Sequence, residues 1–450
     1  MALTQEEALT LLEDVLAKAK AAGAEQADAL LAHSVSLSQA QRLGKLEGLE
    51  RSEGSDLGLR VMIGKRQACV SSSDLKKEAV DQLVERAVAM AKAVPEDPYC
   101  GLAEPEQLAK DYPDIDSVDP EEPSTERLVE IAKACEEAAR AVPGVTNSEG
   151  AEAAWSFGRV ALVASNGFRG AYERSSHSFG VSVLAGEGLG MERDYDFSQS
   201  VYGADLRDPS EVGRAAGEKA VRRLGARRPK TGRYPVVYDP RIATSLLGAL
   251  AGAINGAAIA RGTSFLKDKL GETLFPKDID IIDDPHRPRG LSSKPFDAEG
   301  LANRKRALIE QGRLTGWILD LATGRQLGME SSGNAARGTG GPPRPSTTNL
   351  YLAPGKQTRE ELIGGIEQGF LVTEMMGSGS NLVTGDYSRG AAGYWIEKGE
   401  IAYPVNEVTV AGNLKTMFAN LQAADDLVFR YGTNAPTLLV EGATVAGGRD

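Results

Sequence analysis

Apolar positions along the first 230 residues switch between two spacings. Thr4 and Glu7 form a capping-box signature, Leu9, Leu12 and Leu16 follow at helical intervals, and Gly23 stands where a C-cap belongs, so a helix is predicted there. From Ala29 to Ser71 the pattern becomes short alternating runs. Residues 57–63, the Gly64-Lys65 pair and residues 66–70 read as a hairpin. Leu75, Ala79, Leu83, Ala87 and Ala91 mark a second helix that stops before Pro95. A third carries Leu128, Ile131, Cys135 and Val142 on one face. Residues 145–205 alternate again, rich in Val, Phe, Tyr and Ser, with Asn166-Gly167 as a strong short hairpin signal. A fourth helix is predicted from Pro209 to about Leu224, then a basic run of six Arg or Lys residues over 222–233, expected to be a solvated linker. A strand follows at 234–238.

Beyond residue 234, glycine-rich loops alternate with short strands, and only 240–260 and 358–370 have a strongly helical pattern. The fold expected is α+β. It comprises a small N-terminal α+β unit (1–95), a proline-rich acidic connector (96–123), a middle α+β region built on an antiparallel sheet (124–230) and a large, mainly antiparallel β C-terminal domain with a few helices (231–450). The stretch 95–123 holds six prolines and ten acids against one base, too polar to form a core, so it connects units or wraps a surface.

Composition narrows the function. With 450 residues the chain is long enough for two or three folded units. At 41% hydrophobic and 25% charged it is an ordinary globular protein, not a disordered one. Its formal charge of -12 repels phosphate backbones and anionic lipid, so neither nucleic acid nor membrane is an expected partner. Cys69, Cys100 and Cys135 are an odd set at wide spacing, which suits a reducing compartment. The acidic, amphipathic start of the chain does not resemble a signal peptide. The apolar segment 242–260 is broken by Thr244, Ser245 and Asn255, and reads as a helix buried in protein. A cytoplasmic location is expected.

The familiar catalytic signatures do not occur. His33, His177 and His286 lie more than a hundred residues apart, without an H-E-x-x-H pair or a C-x-x-C. P-loop and G-x-S-x-G motifs are absent. Asp278, Asp280, Asp283 and Asp284 could in principle gather a hard cation, but with Ile279, Ile281 and Ile282 interleaved they fit an edge strand better. Asp386, near Trp395 and Glu397, invites an acid/base role, against a plainer reading as a bulge and hairpin.

The C-terminal half carries motifs in a fixed order: RGTSFLKDKLGE at 261–272, DIDIIDDP at 278–285, PFDAEG at 295–300, SSGNAARG at 331–338 and TTNLYLAPG at 347–355. TGDYSRGAAGYWIEKGEIAYPVNEVTVAGNL follows at 384–414. Together they resemble the TldD/PmbA family of two-subunit peptidases, and within it the PmbA (TldE) type of subunit, over nearly the whole chain. The resemblance implies that TldD-type chains carry zinc on an HExxxH helix just before their RGTS-like segment. The corresponding stretch here, SLLGALAGAINGAAIARGTS, has no histidine or glutamate from Ser245 to Ala260, the ligand positions falling near Gly248 and Gly252 or Ala253. No cysteine follows Cys135 to match the late TldD ligand.

The resemblance thus implies a chain with no catalytic residue and no metal ligand of its own. It would be the partner of a TldD-like, zinc-bearing subunit in a heterodimer that degrades or matures small or unfolded peptides inside a shared chamber. Peptide or partner contact is expected at Ser332, Gly333, Asn334 and Arg337, and at Gly377, Ser378, Gly379, Gly385 and Asp386. The alternatives are a self-sufficient hydrolase using Asp283, Asp284 or Asp386, and a homodimeric binding or regulatory module. Some family members have been described as modulators of DNA gyrase, a role to which an acidic chain lends little support.

Overall fold

A computed structural model describes residues 3–377 and 379–447. The N-terminal half reads α1 (Gln5–Ala21), β1 (Gln26–Arg42), β2 (Lys45–Ile63), β3 (Arg66–Ser72) and α2 (Lys77–Ala93). It then repeats the order as α3 (Thr125–Arg140), β4 (Val145–Ala164), β5 (Arg169–Ala185), β6 (Glu192–Ser200) and α4 (Pro209–Arg222). Each α-β-β-β-α run is half of one antiparallel sheet, ordered β3-β2-β1-β4-β5-β6, joined where β1 pairs β4 from Asp28↔Ala164 to Gln41↔Ala151. The N-terminal and middle regions therefore share a sheet.

Strand alternation sets what each face meets. On β1, Ala27, Ala29 and Leu31 pack beneath α1 and α2, while Leu37 joins the core beneath α3 and α4. Asp28 and Leu30 point the other way. There the acidic connector wraps the sheet, burying Cys100 and Leu102 with Leu30, Met62, Leu162, Phe168 and Phe296. Phe296 comes from the C-terminal domain and meets Phe168 and Tyr172 edge-on.

The C-terminal domain begins with β7 (Gly232–Tyr238), α5 (Pro240–Ala253) and α6 (Gly256–Ala260). Short strands follow: β8 (Ile281–Asp283), β9 (Arg306–Glu310) and β10 (Arg313–Leu314). After α7 (Leu321–Leu327) come β11 (Ala335–Ala336), β12 (Arg344–Pro345), β13 (Leu350–Leu352) and α8 (Arg359–Gly364). The long strands are β14 (Gln368–Met376), β15 (Asp386–Glu397) and β16 (Glu400–Asn413). The chain closes with α9 (Leu414–Ala419), β17 (Leu421–Ala423), β18 (Thr433–Asn434) and β19 (Leu438–Ala446). One sheet runs β16-β15-β14-β7-β19-β17, and an extra β16–β19 pairing closes five of these strands into a barrel. Helix α5 packs on it through Ala243, Leu246, Leu247 and Leu250.

The α+β class and mainly antiparallel domain hold, although β7–β14 and β13–β18 pair in parallel. Four local expectations change. The helix expected over 240–260 is two, α5 and α6, parted at Ile254 and Asn255, where the Asn255 side chain caps the second. The 278–284 segment is not an edge strand, because β8 lies between β9 and β13. The 358–370 helix ends at Gly364, where Gly364 and Gly365 stop it, and Phe370 belongs to β14. The basic run over 222–233 is not a solvated linker. Arg223 is buried against Glu374 and Glu192, and Arg227 lies over the Tyr403 ring at 3.9 Å.

Candidate functional site

Helix α5 starts where the Asp239 side chain accepts from the Arg241 N–H and Pro240 supplies a preset φ. Its apolar stripe faces the barrel. The opposite row, Thr244, Gly248 and Gly252, recurs every four residues and faces away. Gly248 is exposed, and a Cβ built there would meet nothing within 4 Å; one at Gly252 would meet Leu382 Cδ1 at 2.9 Å. The helix thus presents an open shelf that ends under a loop.

That loop, 377–385, is tied down by its backbone. Ser388 N donates to Gly379 O at 2.8 Å, Gly385 N to Asn381 O at 2.7 Å, and Phe265 N to Leu382 O at 2.8 Å. Gly379 fits tightly, since any Cβ would fall on the Ser388 carbonyl. Gly377, Gly379, Gly385 and Asp386 therefore all belong to one hairpin beside the α5 shelf; Ser378 lies outside the described residues.

Zinc does not fit this shelf. From Ser245 to Ala260, α5, α6 and the residues between them offer no imidazole, thiolate or carboxylate, and the Asn255 side chain is already used, donating to Pro345 O at 2.9 Å and capping α6. Among the described residues no group of three His, Cys, Asp or Glu side chains is disposed to hold a metal.

Ser332, Gly333, Asn334 and Arg337 lie elsewhere, between the domains. Asn334 donates to Asp283 Oδ2 at 2.8 Å and Ser332 Oγ to Asn334 Oδ1 at 2.8 Å, while Gly333 takes φ +70° in the turn between them. The Arg337 side chain is fully buried and pairs with Asp28 of β1, which also binds Arg60 of β2. These side chains are engaged by the fold, which leaves Gly377 and Asp386, with the half-buried Gly379, as the exposed part of the expected contact set among the described residues.

The carboxylates are similarly engaged. Asp283 accepts from Thr348 N at 2.6 Å and Thr348 Oγ1 at 2.9 Å, burial pushing its carboxyl up against those bonds. Asp284 caps the His286 N–H. Asp386 is exposed, and hydrogen bonds from Thr384 and Asn413 hold it below the ordinary range, which suits a fixed carboxylate and not a proton donor. Sequence reading passed over Asp297 and Glu299 in the PFDAEG motif. Both are buried, and desolvation raises both, Glu299 further because Asp297 lies beside it.

Sequence reading also missed a polar cluster beneath α5. Tyr387 and Arg389, two apart on β15, share a side, and the Tyr387 hydroxyl is flanked by Tyr238 of β7, Ser245 of α5 and Arg389. The signal available was an arginine in the alternating run TGDYSRGAAGYW.

A cavity of about 470 Å³ also lies on the seam between the middle region and the barrel, lined by Lys219, Arg241 and Arg359. Three of its cations face carboxylates, Lys219 with Asp196 at 3.3 Å, Arg241 with Asp194 at 2.7 Å and Arg359 with Asp239 at 3.1 Å, while a fourth, Arg222, lies over the Tyr394 ring at 5.6 Å.

Known proteins of similar sequence and shape complete the picture. Three family models match consecutive stretches: PmbA/TldA metallopeptidase domain 1 at 27–91, the central domain at 118–224 and the C-terminal domain at 231–447. The chain is 36% identical over 447 residues to Metalloprotease PmbA of Escherichia coli, covering 99% of this chain and 96% of that one. It is 35% identical to a Metalloprotease PmbA homolog of Haemophilus influenzae, covering 91% and 90%. A crystal structure from Bacteroides thetaiotaomicron, of a protein named a candidate modulator of DNA gyrase, superposes with a TM-score of 0.92 at 26% identity, covering 99% of this chain and 100% of that one. TldE of Thermococcus kodakarensis shares the fold with a TM-score of 0.86 at 22% identity, covering 97% and 100%.

Proposed function

From the premise that this chain belongs to the PmbA/TldA family of metallopeptidase homologues, we propose that it is the subunit that holds peptide for a metal-bearing relative and does not coordinate the metal itself. The partner would be a TldD-like chain carrying zinc, the substrates small or unfolded peptides, and the compartment the cytoplasm. One observation carries the reading. The α5 row that faces the shelf is Thr244, Gly248 and Gly252, so the helix offers space where a zinc peptidase needs donors. An exposed hairpin beside an open shelf suits an extended chain, which binds chiefly through its main chain and so with little sequence preference.

Purified alone, the chain should bind no stoichiometric zinc and cleave no unfolded peptide. Adding a related chain with an HExxxH helix should produce cleavage that a chelator abolishes. Peptide cleavage by the purified chain alone, whether or not chelators stop it, refutes the proposal.

A further inference from the structure

Between α3, β5 and the loop that leads into α4 lies a cavity of about 610 Å³. Its size is that of a small-molecule site. Leu128 and Ile131 of α3, Phe179 of β5 and Leu206 form an apolar floor, continuous with the core beneath α3 and α4.

His177 of β5, only 6% exposed, lines the same space. Its Nε2 is sealed from solvent with Asp119 Oδ2 3.1 Å away, and Asp119 is itself held by the Gly203 N–H at 2.8 Å and the Glu121 N–H at 3.0 Å. Burial keeps the imidazole below its ordinary pKa against the pull of Asp119, so at neutral pH the ring is uncharged, its one proton on the nitrogen that faces the carboxylate. That leaves Nδ1 as an acceptor. No described residue donates to it, and it lies beside Gly203, another lining residue, where a Cβ would come within 3.2 Å.

The rim is acidic. Asp119, Glu121 and Asp208 stand against Arg127 and Arg207, and both arginines face carboxylates of their own, Glu130 at 3.3 Å and Asp196 at 3.1 Å. Asp208 caps α4, whereas no lysine or arginine among the described residues pairs with Asp119 or Glu121. An apolar floor, a lone-pair acceptor and carboxylates without a cation together select a ligand with a hydrophobic body and a positively charged donor.

We propose that this cavity binds an arylalkyl ammonium group, its ring on the apolar floor and its ammonium donating to His177 Nδ1 beside Asp119 and Glu121. A free amine and the amino terminus of a peptide carry the same group. The site stands apart from the peptide-holding role proposed above, since no residue of the α5 shelf lines it.

The test uses the full chain without metal or partner. It has only three histidines, so isotope-labelled histidine gives three ring signals by NMR, that of His177 being assigned by its loss in His177→Gln. Phenethylamine, phenylalanyl-alaninamide, the N-acetyl form of that peptide and phenylpropionate are titrated at a fixed pH of about 8, where imidazoles stay neutral. Both amines should move the His177 signal saturably, leave those of His33 and His286 in place, and bind at least about tenfold more tightly than the acetylated peptide or phenylpropionate. Ala204→Phe adds a ring at an exposed lining position and should weaken the amines at least about tenfold with unchanged circular dichroism; Glu121→Gln should weaken them severalfold. Whichever amine binds more tightly names the source of the ammonium and upholds the site. No saturable shift with either amine, or binding untouched by Ala204→Phe, overturns the pocket. Phenylpropionate or the acetylated peptide binding as tightly as the amines overturns the ammonium assignment.

Discussion

Replacing Asp28 by asparagine should destabilise this protein more than replacing either of its arginine partners. Asp28 is 2% exposed, and the Arg60 and Arg337 side chains beside it are 4% and 0% exposed. Burial alone would raise the Asp28 carboxyl, but the charges of Arg337 and Arg60 outweigh it and hold the group below its ordinary range. Removing one partner of a buried pair costs about 3–5 kcal/mol, because the survivor stays buried without compensation. Asp28→Asn leaves two guanidinium groups facing each other, so about 5 kcal/mol is expected. Arg337→Ala leaves the Asp28–Arg60 pair intact and should cost roughly half as much. The double variant should be less destabilised than the sum, since Arg337 has lost its reason for burial.

Urea unfolding followed by both fluorescence and far-UV circular dichroism measures these costs, the two probes checking for separate domain transitions. A depressed pKa supplies stability that is present above the unfolded value near 4 and is lost as pH falls through the folded one. The asparagine variant should therefore lose part of the wild-type acid limb. Asp28→Asn costing less than Arg337→Ala, or strictly additive costs, would refute the argument.

Other perturbations test other parts. Glu299 is raised by burial and by Asp297, so its stabilising term is full below pH 4.5 and fades as pH rises toward 8; Glu299→Gln should gain thermal stability over wild type by a few kcal/mol between pH 5 and 9, and a pH-independent difference would contradict this. Gly58→Ala would put a Cβ on the Thr339 backbone, which crosses β2 at that point, and should cost about 1–3 kcal/mol in urea while exposing the 338–345 segment to protease. Cys135 is fully buried and its thiol is pushed up to about 12, chiefly by burial, so iodoacetamide at pH 8 should label it at least about a hundredfold more slowly in the native chain than in urea.

Much of the local structure could be read before any coordinates. The Thr4–Glu7 capping box forms, with Thr4 N donating to the Glu7 carboxylate at 2.7 Å. The Gly64-Lys65 and Asn166-Gly167 turns join the strands expected on either side. These succeed because a cap or a two-residue turn is fixed by residues within a few positions of one another. The 358–370 helix failed past its own capping box because Ile363, Ile366 and Phe370 keep helical spacing across Gly364 and Gly365, although only the first of them is in the helix.

What the amino-acid order settled alone is chemical: the family motifs, and a stretch from Ser245 to Ala260 without histidine, cysteine or carboxylate. Tertiary structure decided the rest. It joined β1 to β4, closed the barrel through β16 and β19, and carried Arg337 to Asp28 across 309 positions. Alternation along a strand states which side each residue faces but not which distant strand lies beside it. Whether a charge ends up paired, buried or exposed depends on that neighbour.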